Sequence, residues 1–319
     1  MGKIICCGDT HFKVESPFFE AGQSFMKWFV EQDFNNENNY LVHLGDVYHQ
    51  SRPNPRVIKV VENWFLNKLK FKKMYILSGN HGYNRARNSY AGSPLTNFGN
   101  IELLKEPQTF NIESLKFLSL PYYYPFILKD IPPMEEYYSN LPEELRVKVD
   151  FIVSHVEDET SHFSDYYCDL SYLKGQRISG HIHIPSGHFL GSAFISRYDE
   201  KGKSGNLEII DIETKNTKLI PIPRFLDYYD VNYPDSIPKV SAEFPIWNIH
   251  DISDKESVLE QYPDIYIHEM FKKQTRKKLK RKDISTSKKS IMEYFKEYIQ
   301  LNKYIDDRLE SRLIELIKK

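Results

Sequence analysis

Short apolar runs alternate with segments of helical period through the first quarter of the chain. Ile4 to Cys7 is a buried run of strand type, and Phe18, Ala21, Phe25, Trp28 and Phe29 then recur at helical spacing. Ser16-Pro17 ahead of them has the form of an N-cap followed by proline at the first helical position, and the polar stretch Asn35 to Asn39 closes the helix. Residues 40–44 make a second strand. Asn54-Pro55 opens a second helix with Val57, Ile58, Val61, Trp64, Phe65 and Leu69 on one face, and 73–77 is a third strand. This β-α-β-α-β order predicts a sheet with right-handed crossovers.

The pattern is less regular further on. Leu115 to Leu120 and Val149 to Val153 read as buried strands, Ile178-Ser179 ends another, and 126–142 is a proline-punctuated loop. Strands are expected around 188–195, 206–212 and 217–222, with a turn through 200–205. Gly202-Lys203-Ser204 in that turn is not a nucleotide-binding loop, because such a loop needs glycine where Arg197 stands. Past about 235 the pattern suggests a small βαβ element: Ile246 to Ile249, a charged helix around 254–261, then Asp264 to His268. A dense basic run follows, and Ser290 to Glu293 has the form of a capping box. Behind it Ile291, Tyr294, Phe295 and Tyr298 make one helical stripe, and Ile305, Leu309, Leu313, Leu316 and Ile317 another. The chain therefore divides into a main domain (1–235), a small α/β capping element (236–270), a basic linker (271–289) and a helical tail (290–319).

Composition narrows the class. The 319 residues are 40% hydrophobic and 27% charged, which suits a globular protein with a substantial core. A net charge of −1 predicts no general attraction to nucleic acid, so any such binding rests on a local basic patch. Residues 272–289 are that patch, with ten Lys or Arg and one Asp in a chain otherwise net acidic. Three cysteines without a CxxC pair fit buried thiols in a reducing compartment and no disulfide or structural zinc framework. The apolar run near Met1 is too short for a signal peptide, and no window nears the ~18 apolar residues of a spanning helix. A cytoplasmic protein away from membranes is expected.

The chemistry collects at strand ends. Asp9, His11, Asp46, Asn80, His81, His155, His181 and His183 all follow apolar runs, where an α/β sheet gathers its ligands. Two carboxylates, an amide and several imidazoles are too many donors for one cation but suit two. A metal pair about 3.5–4 Å apart clamps the oxygens of an in-line displacement at phosphorus and generates hydroxide near neutral pH. Singly, each residue reads as readily as a turn, a cap or a wet strand face. His43 lies within its strand and reads as core or as support for a ligand, and Tyr122 to Tyr124 read as packing residues.

Together, Gly8-Asp9-Thr10-His11, Gly45-Asp46, Gly79-Asn80-His81, Ser154-His155 and Gly180-His181-Ile182-His183 resemble the five ordered motifs of the calcineurin-like metallophosphoesterase superfamily. The resemblance covers about the first two thirds of the chain and implies an α/β fold, a two-sheet αββα sandwich. It implies Asp9, His11 and His183 on a first metal, Asn80, His155 and His181 on a second, and Asp46 bridging them. The pair would be Mn²⁺, with Fe²⁺, Zn²⁺ or Mg²⁺ as alternatives. By the same resemblance His81 is catalytic rather than a ligand, donating to a phosphate oxygen or the leaving group.

Gly45-Asp46-Val47-Tyr48-His49-Gln50-Ser51-Arg52-Pro53, Leu120-Pro121-Tyr122, and Gly191-Ser192 followed by Asp199 to Gly202 are similar to the SbcD-type nuclease subunit of the double-strand-break repair complex. That resemblance implies a DNA exonuclease or endonuclease, with His49 helping to place the DNA phosphate and Arg52 beside it. It also implies a homodimer, and docking of the C-terminal helices on an SbcC-type, SMC-like ATPase through Ile291, Tyr294, Phe295, Tyr298, Ile305, Leu309 and Leu313. Arg276, Lys277, Lys278, Lys280, Arg281 and Lys282 would contact DNA. Competing readings are a small-molecule phosphodiesterase or phosphoprotein phosphatase on the same fold, and a non-catalytic DNA-tethering scaffold. The chain departs from the superfamily at Gly82, where an acid usually stands beside the histidine; Asp158 or Asp165 would have to replace it.

Overall fold

Alternation within the first strand decides the layering. In the computed structural model of the chain, β1 (Lys3–Cys7) sends Ile4 and Cys6 to one side and Ile5 and Cys7 to the other, all four fully buried. The structure describes residues 2–84, 89–97, 99–122, 134–161, 167–195, 197–231, 240–249, 255–262 and 266–268.

The first half runs β1, α1 (Phe18–Val30), β2 (Tyr40–His43), α2 (Pro55–Asn63), β3 (Lys73–Leu77), the short hairpin β4 (Tyr83–Asn84) and β5 (Ser89–Tyr90), then β6 (Ile101–Leu104), β7 (Gln108–Ile112) and β8 (Leu115–Leu120). The second half adds α3 (Met134–Ser139), β9 (Phe151–Ser154), β10 (Gln176–Ser179), β11 (Asn206–Asp211), β12 (Thr217–Pro221), β13 (Leu226–Val231), β14 (Phe244–Ile249), α4 (Lys255–Gln261) and β15 (Tyr266–His268). One sheet has the order β12-β11-β1-β2-β3-β6, parallel from β1 to β6 and antiparallel at β11 and β12. The other is β10-β9-β8-β7, with only β7 antiparallel. β13, β14 and β15 form a small, all-parallel third sheet.

Three apolar layers hold these together. Ile5, Cys7, Leu41, Met74 and Ile76 pack under Phe25, Phe29, Val57, Val61 and Trp64 of the helical layer. Ile4, Cys6, Val42, Tyr75 and Leu77 meet Leu115, Phe117, Phe151, Val153 and Ile178 between the two sheets. Leu118, Leu120 and Ile152 turn outward onto Tyr138 of α3, Leu141 and Cys168. The result is the αββα sandwich. Each fully buried ring such as Phe25 or Phe117 contributes about 1.5–3 kcal/mol by leaving water.

The start of α2 follows the expected local chemistry, whereas α1 starts at Phe18 with Pro17 itself at the N-cap and no side-chain cap, the Ser16 hydroxyl donating to Glu20 Oε1 at 2.8 Å instead. The Asn54 side chain accepts the Arg56 amide at 2.9 Å with Pro55 at the first position, and α2 ends in a π-turn over Trp64–Lys68. Elsewhere the structure differs from expectation. Residues 188–195 are not a strand but a loop with isolated bridges, because Gly187 and Gly191 take left-handed φ angles of 57° and 78°. α3 lies inside the stretch expected to be loop. The strand pattern missed β6 and β7, which are the edges of their sheets and only partly buried. It also missed β13, whose pairing with β14 starts the small sheet at Leu226.

Asp158, buried after β9, ties that loop to β10. Arg177 Nη1 lies 2.9 Å from its carboxylate, His188 Nε2 lies 2.8 Å away, and the Thr160 amide and hydroxyl donate at 3.0 and 2.7 Å. It is not near enough to serve His81, so it does not replace the acid missing at Gly82; Asp165 lies outside the described residues. Burial pushes the Asp158 carboxyl up, but the His188 and Thr160 contacts outweigh it and hold the pKa at about 2. A depressed carboxylate stabilises above its unfolded pKa, so on the order of 2 kcal/mol should be present at neutral pH and lost between about pH 4 and 2. Asp158→Asn is therefore expected to cost about 2–3 kcal/mol at pH 7 by denaturant unfolding, with the difference from the native chain shrinking as pH falls to about 2. A pH-independent difference would refute this account.

The chain divides into two compact units, Met1–Glu269 and Met270–Lys319. The basic residues Arg276, Lys277, Lys278, Lys280, Arg281 and Lys282, and the helical stripe from Ile291 to Leu313, lie outside the described residues. Among the described residues no helix is long and apolar enough to cross a membrane.

Candidate metal centre

The loops that leave β1 and β2 are zipped to one another. The Asp9 amide donates to the Gly45 carbonyl at 3.1 Å, and the His11 amide to the Asp46 carbonyl at 2.9 Å. Beyond β9 and β10 the His155 amide is held by the Leu120 carbonyl, and Gly180 by Ser154, each at 3.0 Å. Asp9, His11, Asp46 and His181 all take left-handed φ angles, of 51°, 41°, 50° and 73°. For residues with a Cβ that conformation costs about 1–2 kcal/mol each, and it concentrates where surrounding structure holds side chains to a purpose. Two glycines make the closeness possible. A Cβ on Gly45, itself at φ 109°, would lie 2.3 Å from His155 Nδ1, and one on Gly79 would lie 2.1 Å from Asp46 Oδ1.

Two donor sets meet at Asp46. On one side His11 Nε2 and His183 Nε2 face each other at 2.9 Å, each 3.7–3.8 Å from Asp9 Oδ1, with Asp46 Oδ2 3.8 Å from His11 Nε2. On the other, His155 Nε2 lies 3.2 Å from Asp46 Oδ2, while Asn80 Oδ1 lies 3.1 Å from His155 Nε2 and 3.3 Å from His181 Nδ1. One carboxylate oxygen thus belongs to both sets. The other Asp46 oxygen accepts the His81 amide at 2.9 Å, which fixes the carboxylate's rotation.

The imidazoles are aimed by their second nitrogens. His155 Nδ1 donates to the Leu44 carbonyl at 2.6 Å, and His183 Nδ1 donates to Glu200 Oε1 at 2.6 Å, so each presents Nε2 to the centre. Glu200, only 2% exposed, is a functional residue the sequence reading passed over as part of a turn. Its only signal there was an acid following the Gly191-Ser192 stretch. His43, fully buried, lies with Nε2 3.2 Å from the Thr10 hydroxyl and thus backs the first loop.

These residues fit a pair of divalent ions. Asp9 Oδ1 is buried and has no hydrogen-bond partner among the described residues, an arrangement a cation satisfies. The donors are oxygen and imidazole only, since Cys6 and Cys7 point into the apolar layers. Burial resists charge at Asp9 and Asp46, yet the surrounding imidazoles hold both carboxyls below their ordinary range. Burial lowers His11, and lowers His181 to about 4, leaving both as neutral lone-pair donors. At His155 burial works downward too, but the Asp46 carboxylate overrides it and lifts the pKa to about 9; the field that draws a proton there also draws a metal ion.

His49 and His81 sit on the rim beside the first set. The His81 ring is 4.7 Å from His11 and 5.2 Å from His49, and His49 is 5.5 Å from His11, centroid to centroid. His81 Nδ1 donates to the His49 carbonyl at 2.7 Å. A backbone carbonyl therefore orients the ring where the superfamily usually has an acid. Burial, reinforced by the positive Lys13, lowers His49 to about 4. Arg52 is exposed, and Tyr122 stands 6.0 Å from the His181 ring rather than in the core. Tyr123 and Tyr124 lie outside the described residues.

The sequence profile of the calcineurin-like phosphoesterases matches residues 2–185, more than half of the chain. No curated protein matches. Among solved structures, an archaeal phosphodiesterase aligns at 17% identity and a TM-score of 0.36, over 69% of this chain and 99% of its own. The nuclease MPE of Pseudomonas putida aligns at 15% identity and a TM-score of 0.31, over 68% of this chain and 72% of its own.

Proposed function

The chain belongs to the calcineurin-like phosphoesterase family, and from that premise we propose that it is a two-metal phosphodiesterase whose substrate is DNA. The observation that carries the reading is the single Asp46 oxygen shared by two donor sets, with two further imidazoles on the same rim. Asp9, His11 and His183 would hold one ion, and Asn80, His155 and His181 the other. Two divalent ions held there supply positive charge at the phosphoryl oxygens and lower the pKa of water.

The chain's own residues do the rest. His81, with Nδ1 committed to the His49 carbonyl, offers Nε2 to the oxygen that departs from phosphorus. A sugar alkoxide leaves poorly without a proton, so a diester of nucleic acid needs such a donor. His49 flanks the seat of the phosphate, and the basic residues from Arg276 to Lys282 would contact DNA phosphates. The helical tail would carry the chain to an SMC-like ATPase, and a second copy would complete the assembly.

The test is incubation of the full chain with Mn²⁺ and linear DNA, beside a small nitrophenyl phosphodiester. Metal-dependent cutting of DNA, stopped by chelation, is expected. Hydrolysis of the small diester with DNA left intact, alone or with the ATPase, would refute the DNA reading. Replacing Arg276, Lys277, Lys278, Lys280, Arg281 and Lys282 together with Gln should weaken DNA binding and flatten its salt dependence, since fewer counterions are released. Turnover of the small diester should not change.

A further inference from the structure

Glu200 reaches His183 from a tight turn, and that turn is braced from outside the sandwich. Tyr198, Asp199 and Glu200 form a single 3-10 turn, in which Arg197 contacts both Glu200 oxygens at 3.3 Å. On either side of Glu200 the contacts go to β13. The Tyr198 hydroxyl donates to Asp230 Oδ1 at 2.5 Å, Lys201 pairs with Asp230 Oδ2, and the Gly202 amide donates to Asp227 Oδ1 at 2.9 Å. β14 adds Asn248 Nδ2, which donates to Asp230 Oδ1 at 2.7 Å. Two carboxylates of the small sheet thus grip the turn one or two residues before and after the one glutamate that aims a metal-ligating imidazole.

We infer that Asp230 is a positioning residue of the first metal site, acting through the 198–202 turn and Glu200 on the ring of His183. The backbone of His183 is anchored separately, its carbonyl accepting the Ser192 amide at 3.0 Å. The ring's rotation about its own bonds is what Glu200 sets, and a 2.6 Å bond to a buried carboxylate tolerates little displacement of its partner. Asp230 is about a third exposed, so this control point lies where solvent or a bound molecule reaches it while the glutamate it governs does not. The small sheet is then part of the metal centre's machinery, not an appendage to it. The inference rests on the two-metal reading but not on the nature of the substrate.

Stepwise Mn²⁺ titration of the full chain, read as two binding constants, tests it. Loss of a partner that orients a ligand typically costs 10–100-fold in metal affinity. Asp230→Asn should weaken one ion by about 10-fold, the low end because the effect passes through a turn, and leave the other within about twofold. Asn80→Ala, which removes a ligand of the second ion only, identifies which constant belongs to which site. Tyr198→Phe deletes one hydroxyl of the brace and should reproduce the selective loss to a smaller degree, even if Asp230→Asn folds poorly. In a Glu200→Ala background the Asp230→Asn change should add nothing further. Equal weakening of both ions, no weakening in Tyr198→Phe and Asp230→Asn alike, or full additivity with Glu200→Ala would overturn the inference. A native chain that binds fewer than two ions would overturn this and the two-metal reading together, whereas failure to cut DNA would leave it standing.

Discussion

Replacing Asp46 with asparagine is expected to lower hydrolysis by at least about 10²–10³-fold, the loss seen when one preorganised charge-stabilising group is removed, and to abolish binding of the metal pair. The substitution keeps size and shape, so the effect isolates the charge and the second oxygen. With its Nδ2 toward the centre, asparagine would place two N–H donors within reach of His11 and His155, where Asp46 Oδ2 now lies 3.8 and 3.2 Å from their Nε2 atoms. With the amide turned over, Nδ2 would instead oppose the His81 amide that now donates to Oδ1 at 2.9 Å. Neither rotamer supplies two acceptors. Bound metal measured after gel filtration, with hydrolysis of a small phosphodiester alongside, decides the matter. Retention of two ions per chain would show that Asp46 is not the bridge, and unchanged biological activity without them would favour a tethering role over an enzymatic one.

Changing His81 to glutamine should lower turnover of DNA by roughly 10²–10⁴-fold, the usual contribution of a general acid, while leaving metal content alone. The backbone amide that holds Asp46 is untouched by the change. The signature lies in the leaving group. A nitrophenyl ester departs without help and should lose far less than a sugar alkoxide, so the defect should shrink as the leaving group improves. Equal losses on both substrates would instead make His81 a phosphate-binding residue. Release of metal would place it in the ligand set, where ring distances of 4.7 Å to His11 and 5.2 Å to His49 put it near but do not require it.

Strand ends carry their own record because they are local. An apolar run that stops at a small residue followed by a donor is written in five or six consecutive residues: β1, β2, β3 and β10 end at glycine before the donor, and β9 ends at Ser154 before His155. Hence Asp9, His11, Asp46, Asn80, His155, His181 and His183 were nameable from the pattern and its resemblance, and the structure brings them together. Edge strands such as β6 and β7 escaped because half-exposed strands do not alternate cleanly. β13 carries Asp227 and Asp230 on either side of Tyr228 and Tyr229, which breaks the apolar alternation of a strand, and those carboxylates face the 198–202 turn. The run at 188–195 looked like a strand and is a loop, since its glycines serve positive φ angles rather than extension.

What the sequence determined by itself was the inventory: which donors exist, that each follows a strand, and that thiolates are not among them. Tertiary structure alone decided which nitrogen of each ring faces the centre and which oxygen is shared. His155 takes its orientation from Leu44, 111 residues away, and His183 meets His11 across 172. It also set a backbone carbonyl, which no side-chain motif records, in the place of the acid missing at Gly82. Contacts of that separation depend on how two sheets and a turn pack, and hydrophobic periodicity specifies the faces that pack but not the angles at which their ends meet.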